Sequence, residues 1–208
     1  MGNTLDSRKS KVKSMEKFSN FSSILVPFPH DNVDTDQIYP ARFLTATDRA
    51  NMADKLFVDL RQDEHGNPRP DFVLNMHQYR EAKILLGRDN FGSGSSREHA
   101  VWALRGWGFR AVFAMSFGDI FKNNCYKNGL LPIALPKDII AQMNVDAAAD
   151  PQEKAMVDLE QQTVQWKGRA YRFEIHLFAK ACMLKGVDEI GYTLSFEKEI
   201  STFEAIHE

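Results

Sequence analysis

Eleven consecutive residues constrain this chain most: Asn90-Phe91-Gly92-Ser93-Gly94-Ser95-Ser96-Arg97-Glu98-His99-Ala100. They follow a short apolar run, Ala82 to Leu86, and precede a helix-like run, Val101 to Trp107. That order predicts a strand, a glycine loop and a helix N-terminus, hence a chain that alternates strands with helices. Such a junction gathers N–H groups without intrahelical partners at the positive end of a helix dipole. Two hydroxyls and a guanidinium in consecutive positions then suit a carboxylate or phosphate ligand.

Two readings of the serines stand side by side. Ser95-Ser96-Arg97-Glu98 matches an S-x-x-E capping box, with Ser95 as N-cap and Glu98 at N3. The alternative is an anion site with an adjacent serine pair. Nucleotide motifs fail: G-x-G-x-x-G has Arg97 where its last glycine belongs, the phosphate-loop lysine is absent, and no serine sits in a G-x-S-x-G elbow. A serine hydroxyl is a poor base at neutral pH unless dipoles and cations stabilise its alkoxide. Helix N–H groups and Arg97 could supply that field, and Arg97 could equally clamp a carboxylate with two parallel hydrogen bonds. His99 either faces inward from this helix or takes a direct part in the site.

A second polar stretch, Asp31-Asn32-Val33-Asp34-Thr35-Asp36-Gln37-Ile38-Tyr39-Pro40, follows the first strand. Its carboxylates do not match the EF-hand calcium loop, which needs a glycine and a closing glutamate that are missing. It is either a solvated Asx-rich turn or a support in which Asp36 orients a base or an arginine, with Arg42 facing a substrate carboxylate. A third stretch opens with Ser116-Phe117-Gly118-Asp119, an S-x-x-D cap, and carries Asn123, Asn124, Lys127 and Asn128 on its polar face. It reads as a capped amphipathic helix or as a surface that meets a partner or closes over a ligand.

A length of 208 residues suits one domain with a sizeable core. A net charge of −2 gives no basic excess for nucleic acid, and no apolar run approaches the ~20 residues of a membrane span. The two cysteines, Cys125 and Cys182, form no C-x-x-C. They suit a reduced, cytoplasmic protein and are too few for a zinc site or a four-cysteine cluster, so no metal ligand is assigned to this chain. Residues 1–20 are polar and basic without an apolar core, so they are no secretory signal. They read as a disordered extension, or else a weak organellar targeting tail, with Met15 a candidate start for the folded part; residues 21–208 form the domain. Strands are expected at 24–28, 82–86, 111–115 and 131–135, helices at 46–60, 97–107, 117–127 and 137–143. Short antiparallel strands at 156–160, 163–166 and 171–175, turning at Lys167-Gly168, precede a last helix at 176–185.

Taken together, Asp34 to Pro40, Asn90 to Ala100, Ser116 to Phe121 and Asn128-Gly129-Leu130-Leu131-Pro132 resemble the aconitase-type swivelling domain. The version is similar to the small subunits of 3-isopropylmalate dehydratase, a likeness that extends through Pro70 to Asn75 and Ile190 to Leu194 and covers roughly 17–200. The family pattern has Ile where Tyr39 stands and Ala where Gly118 stands. The resemblance implies an α/β fold of the swivelling β/β/α type, with a parallel β-α-β core and a C-terminal antiparallel portion. It implies a hydro-lyase of leucine biosynthesis that interconverts 2- and 3-isopropylmalate. It also implies a heterodimer whose large subunit carries a [4Fe-4S] cluster, the iron acting as Lewis acid on the departing hydroxyl. Relatives act on citraconate, 2-methylmalate or homoaconitate, which is the alternative activity; a non-catalytic anion-binding partner is a third. Carried onto this sequence, Ser95 is the catalytic base, Ser96 and Arg97 hold a substrate carboxylate, and Asp36 supports the site.

Overall fold

Apolar runs too short for helices, bounded by turns, are the strands of this protein in the computed structural model, which describes residues 15–44 and 51–207. The first, β1 (Phe21–Pro27), buries the adjacent Leu25 and Val26 almost completely. Neighbours on a strand point to opposite faces, so β1 is covered on both sides. Along the chain follow one-turn helices α1 (Thr35–Ile38) and α2 (Val58–Arg61), β2 (Ile84–Leu86), α3 (Glu98–Trp107), β3 (Ala111–Ala114), α4 (Asp119–Lys127), β4 (Leu131–Ala134) and α5 (Lys137–Ala149). Then come β5 (Lys154–Asp158), β6 (Thr163–Trp166), β7 (Arg169–Arg172), α6 (Leu177–Lys185), α7 (Glu189–Leu194) and α8 (Glu197–His207).

These strands form one seven-stranded sheet in the order β4-β3-β2-β1-β5-β6-β7. From β1 to β4 the neighbours are parallel, with Val26 opposite Leu85, Leu85 opposite Val112 and Val112 opposite Pro132. On the other side of β1, β5, β6 and β7 pair antiparallel in turn. Parallel neighbours need a long crossover and antiparallel ones only a turn. So α3 and α4 connect the parallel strands, while Lys167 and Gly168, at φ of +46° and +71°, close the β6–β7 hairpin in the left-handed pair of a two-residue turn. Pro132, which has no N–H to give, sits on edge strand β4. The expected fold class, parallel core and antiparallel portion are all present.

Side-chain alternation divides the interior in two. Val26, Leu85 and Val112 face a layer built with Ile38, Tyr39, Phe91, Leu104 and Phe121. Leu25, Ile84 and Phe113 face the opposite layer, with Ile133, Ile140, Met143, Val157 and Trp166. Helix α3 covers the first face and α5 the second.

Three features go beyond or depart from the sequence pattern. Residues 51–60 are not the continuous helix expected over 46–60, of which 46–50 lie outside the described residues. Met52, Leu56, Phe57 and Val58 are all buried, and three consecutive buried positions do not share one side of a helix, where neighbours step by about 100°. Phe57, at φ +48°, breaks it into a turn at Ala53–Lys55 and α2. The Phe57 N–H donates to the Ile38 carbonyl at 2.9 Å, and its ring packs 4.8 Å from Phe28.

Residues 15–20, upstream of the boundary expected at residue 20, contact the domain. Residues 1–14 lie outside the described residues, but Met15 N–H donates to Gly186 O at 3.1 Å and Phe18 N–H to Met183 O at 2.9 Å. Phe18 is buried, with the Arg110 guanidinium 5.0 Å from its ring centre; an aromatic residue gives the segment apolar area to bury. Finally, the chain stays helical past Gly186 in α7 and α8, which the sequence pattern did not assign. Asp188 caps α7, its carboxylate accepting from Gly191 N–H at 2.7 Å.

Candidate active site

The C-terminal ends of β1, β2 and β3 open into loops that meet, the usual place for a ligand on a parallel sheet. Backbone hydrogen bonds join them. Gly92 and Ser93 both donate N–H to Val33 O, at 2.7 and 3.2 Å, and Thr35 N–H donates to Ser93 O at 2.9 Å. On the other flank Phe91 N–H donates to Ser116 O and Gly118 N–H to Phe91 O, each at 3.0 Å. The glycine loop therefore lies between its neighbours, joined to each by an isolated bridge. Asn32 and Asn90, both at φ +54°, turn the chain beside it, and the Asn90 side-chain amide donates to Asn32 Oδ1 at 3.0 Å. Asparagine tolerates that backbone better than most residues.

Two glycines are sterically required. A Cβ on Gly92, at φ +74°, would stand 2.2 Å from the Phe121 ring, and one on Gly118 would stand 2.6 Å from the Gly92 carbonyl oxygen. The loop thus lies directly on α4.

Neither serine motif is a helix cap. Helix α3 starts at Glu98 with Arg97 at N-cap, and α4 starts at Asp119 with Gly118 at N-cap. The Ser116 hydroxyl instead donates to Asp89 Oδ1 at 2.5 Å and accepts from Asn90 N–H at 2.8 Å. A cap needs the hydroxyl oxygen as acceptor, and here Asn90 N–H takes it. Ser95 is exposed, and its Oγ lies 3.3 Å from Thr35 Oγ1, which also donates to the Ser95 carbonyl at 3.2 Å.

Asp36 and Arg97 meet. Arg97 Nη1 donates to Asp36 Oδ1 at 2.5 Å, and the same oxygen accepts Ala41 N–H at 2.8 Å. The Arg97 hydrogen bond, then the Ala41 amide, holds the Asp36 carboxyl below its usual range. Ser96 is exposed, and its carbonyl accepts from Asn124 Nδ2 of α4 at 3.2 Å. Arg42 does not join the group: it is paired through both terminal nitrogens with Asp59 and lies 4.6 Å over the Phe43 ring. His99 faces inward, between Tyr39 at 5.7 Å and Trp102 at 4.7 Å.

Sequence reasoning passed over Thr35 and singled out Asn124 only as part of a polar face. A signal for Thr35 was present. Asp34 and Gln37 form a D-x-x-Q capping box, Asp34 Oδ1 accepting Gln37 N–H at 2.7 Å and Gln37 Oε1 accepting Asp34 N–H at 3.1 Å. That box fixes the one-turn helix on which Thr35 and Asp36 stand.

Among the described residues no group of three or more His, Cys, Asp and Glu is placed to hold a metal ion. Cys125 and Cys182 are both buried, and burial pushes both thiols up, away from the thiolate a cluster needs. A cavity of about 320 Å³ lies elsewhere, lined by Tyr126, His176, Cys182 and Glu189 among others. No described helix is long and apolar enough to cross a membrane.

Comparison with known proteins finds close relatives of one family. Residues 15–138 match the aconitase C-terminal domain family. The chain is 48% identical over 192 residues to the 3-isopropylmalate dehydratase small subunit of Dinoroseobacter shibae, spanning 92% of this chain and 96% of that one. It is 50% identical over 194 residues to the protein of that name from Solibacter usitatus, spanning 93% and 96%. The crystal structure of 3-isopropylmalate dehydratase (leuD) from Methanocaldococcus jannaschii superposes with a TM-score of 0.64 at 26% identity, over 89% of this chain and 99% of that one.

Two outcomes are expected. A carboxyl held low in the folded state contributes stability that is complete above its unfolded pKa of about 3.9 and drains as the pH falls through the folded value. A carbon-13 titration should therefore place the Asp36 midpoint below ~3.9, and Arg97→Gln should return it toward that value. Gly92→Ala should cost about 2–4 kcal/mol in chemical denaturation, from left-handed backbone strain and overlap with Phe121.

Proposed function

This chain belongs to the family of 3-isopropylmalate dehydratase small subunits, and from that premise we propose that it supplies the proton-accepting, carboxylate-holding half of this hydro-lyase. Its reaction is the interconversion of 2- and 3-isopropylmalate through a dehydrated alkene, and its companion is a cluster-bearing large subunit. The observation that carries the proposal is the meeting of exposed Ser95 with Thr35, Asp36 and Arg97 at the open end of the parallel strands.

Each residue has a role that its surroundings suit. Ser95, as alkoxide, takes the proton from the carbon beside a carboxylate; the freed electron pair becomes the alkene as the hydroxyl leaves from the neighbouring carbon. The guanidinium of Arg97 has five donors in a rigid fork, so it can bond Asp36 and still grip a substrate carboxylate together with Ser96. Asp36 fixes that fork and keeps it from swinging. Arg42, paired with Asp59, contributes positive charge near the entrance rather than a direct grip. Phe43 and Leu44, half-buried beside it, are the apolar side chains offered to the isopropyl group, with burial worth about 1–3 kcal/mol. A cluster on the large subunit would supply the Lewis acid for the departing hydroxyl. Buried free thiols at Cys125 and Cys182 suit a reducing cytoplasm.

Anaerobic reconstitution with candidate large subunits, assayed on 2-isopropylmalate, citraconate and homoaconitate, tests the proposal. The pair should prefer 2-isopropylmalate and the isolated chain should be silent. Ser95→Ala should lower kcat roughly 10²–10⁴-fold, and Arg97→Lys should lose most of kcat/KM because an ammonium has no planar fork. Turnover by the isolated chain, a preference for citraconate or homoaconitate, or near-normal Ser95→Ala would overturn it.

A further inference from the structure

We infer that Thr35 is a positioning residue that prepares Ser95, an assignment that rests on the reading of Ser95 as the base. Buried polar side chains are costly unless hydrogen-bonded. Thr35 is only 1% exposed, as buried as the hydrophobic core. Of the other buried polar side chains among the described residues, Ser23, Arg61 and Asn144 bond main-chain groups of the scaffold. Thr35 instead reaches up into the exposed loop, to the carbonyl and the hydroxyl of Ser95 at 3.2 and 3.3 Å.

Its own placement is rigid. The Asp34–Gln37 box fixes α1, Thr35 N–H is held by Ser93 O, and Tyr39 N–H donates back to Thr35 O at 3.0 Å. A β-branched side chain adds restriction at χ1. The two acceptors give its single hydroxyl proton two settings. While Ser95 is protonated, Thr35 donates to the Ser95 carbonyl and can accept from the Ser95 hydroxyl. When Ser95 becomes an alkoxide, rotation about one C–O bond turns the same proton onto Oγ. No heavy atom needs to move, and a preorganised donor then meets the oxygen on which charge develops. Asp36 and Arg97 are engaged with each other, so this inner contact is separate from the outer ion pair.

The test uses the reconstituted two-subunit enzyme with 2-isopropylmalate. Thr35→Val, which removes the hydroxyl at nearly constant shape, should lower kcat roughly 10–100-fold with KM within about twofold, since the substrate grip is untouched. Thr35→Ser, which keeps the hydroxyl, should recover kcat to within a few-fold of the parent. If Thr35→Val does not fold, Thr35→Cys, with a weak S–H donor, takes its place and should show the same kcat loss. Ser95→Ala, measured alongside, separates the two ideas. If Ser95→Ala is inactive while Thr35→Val keeps its kcat, Thr35 has no positioning role although Ser95 stays the base. If Ser95→Ala is active, the base assignment fails and the role of Thr35 fails with it. A Thr35→Val loss that falls on KM, or that Thr35→Ser does not restore, also overturns the inference.

Discussion

The arrangement depends on main-chain pairing among three loops. The Val33 carbonyl accepts two N–H groups from Gly92 and Ser93, Ser93 accepts from Thr35, and Phe91 exchanges bonds with Ser116 and Gly118. Backbone groups pair without regard to side chains, but they demand close approach. That demand explains Gly92 and Gly118, whose absent Cβ atoms leave room for Phe121 and for the Gly92 carbonyl. Strands buried on both faces hold the loops from below, so the loop geometry inherits the rigidity of a close-packed interior.

On this frame the polar groups sort by strength. Charge-assisted bonds take precedence over neutral ones: Ser116 gives its proton to Asp89 while its oxygen accepts a loop N–H, Arg97 goes to Asp36, and Arg42 goes to Asp59. Among the described residues Ser95 is left outside these ionic partnerships, and the neutral Thr35 hydroxyl lies against its Oγ. For the base proposed at Ser95, a neutral, rotatable neighbour serves better than a fixed carboxylate, which would raise the cost of its anion.

The parts of this structure legible in the sequence are those whose cause is local. Three apolar runs separated by helix-length segments gave the parallel core, and Lys167-Gly168 gave the hairpin. What was misread turns on distant partners. Ser95-x-x-Glu98 and Ser116-x-x-Asp119 satisfy the cap pattern, yet Ser95 faces Thr35, sixty positions away, and Ser116 faces Asp89, twenty-seven away. The Arg42–Asp59 pair spans seventeen positions and has no local signature. Phe57 broke an expected helix because its ring is claimed by Phe28 and Phe72. Thr35, set between two aspartates, looked like one more polar turn residue. Only the meeting of two loops reveals it as the buried one.

The anchoring of Met15 and Phe18 has its own consequence. Glu16 pairs with Arg105 in the last turn of α3 at 3.2 Å, whereas the serine loop enters that helix at its first turn. Ten residues of helix, some ~15 Å of rise, separate the two ends. Met15 is in turn fastened to Gly186, so the start of the domain and the close of α6 share one corner. The corner that holds Met15 and the loop that carries Ser95 thus stand at opposite ends of α3, so a change that loosens one leaves the other's hydrogen bonds in place.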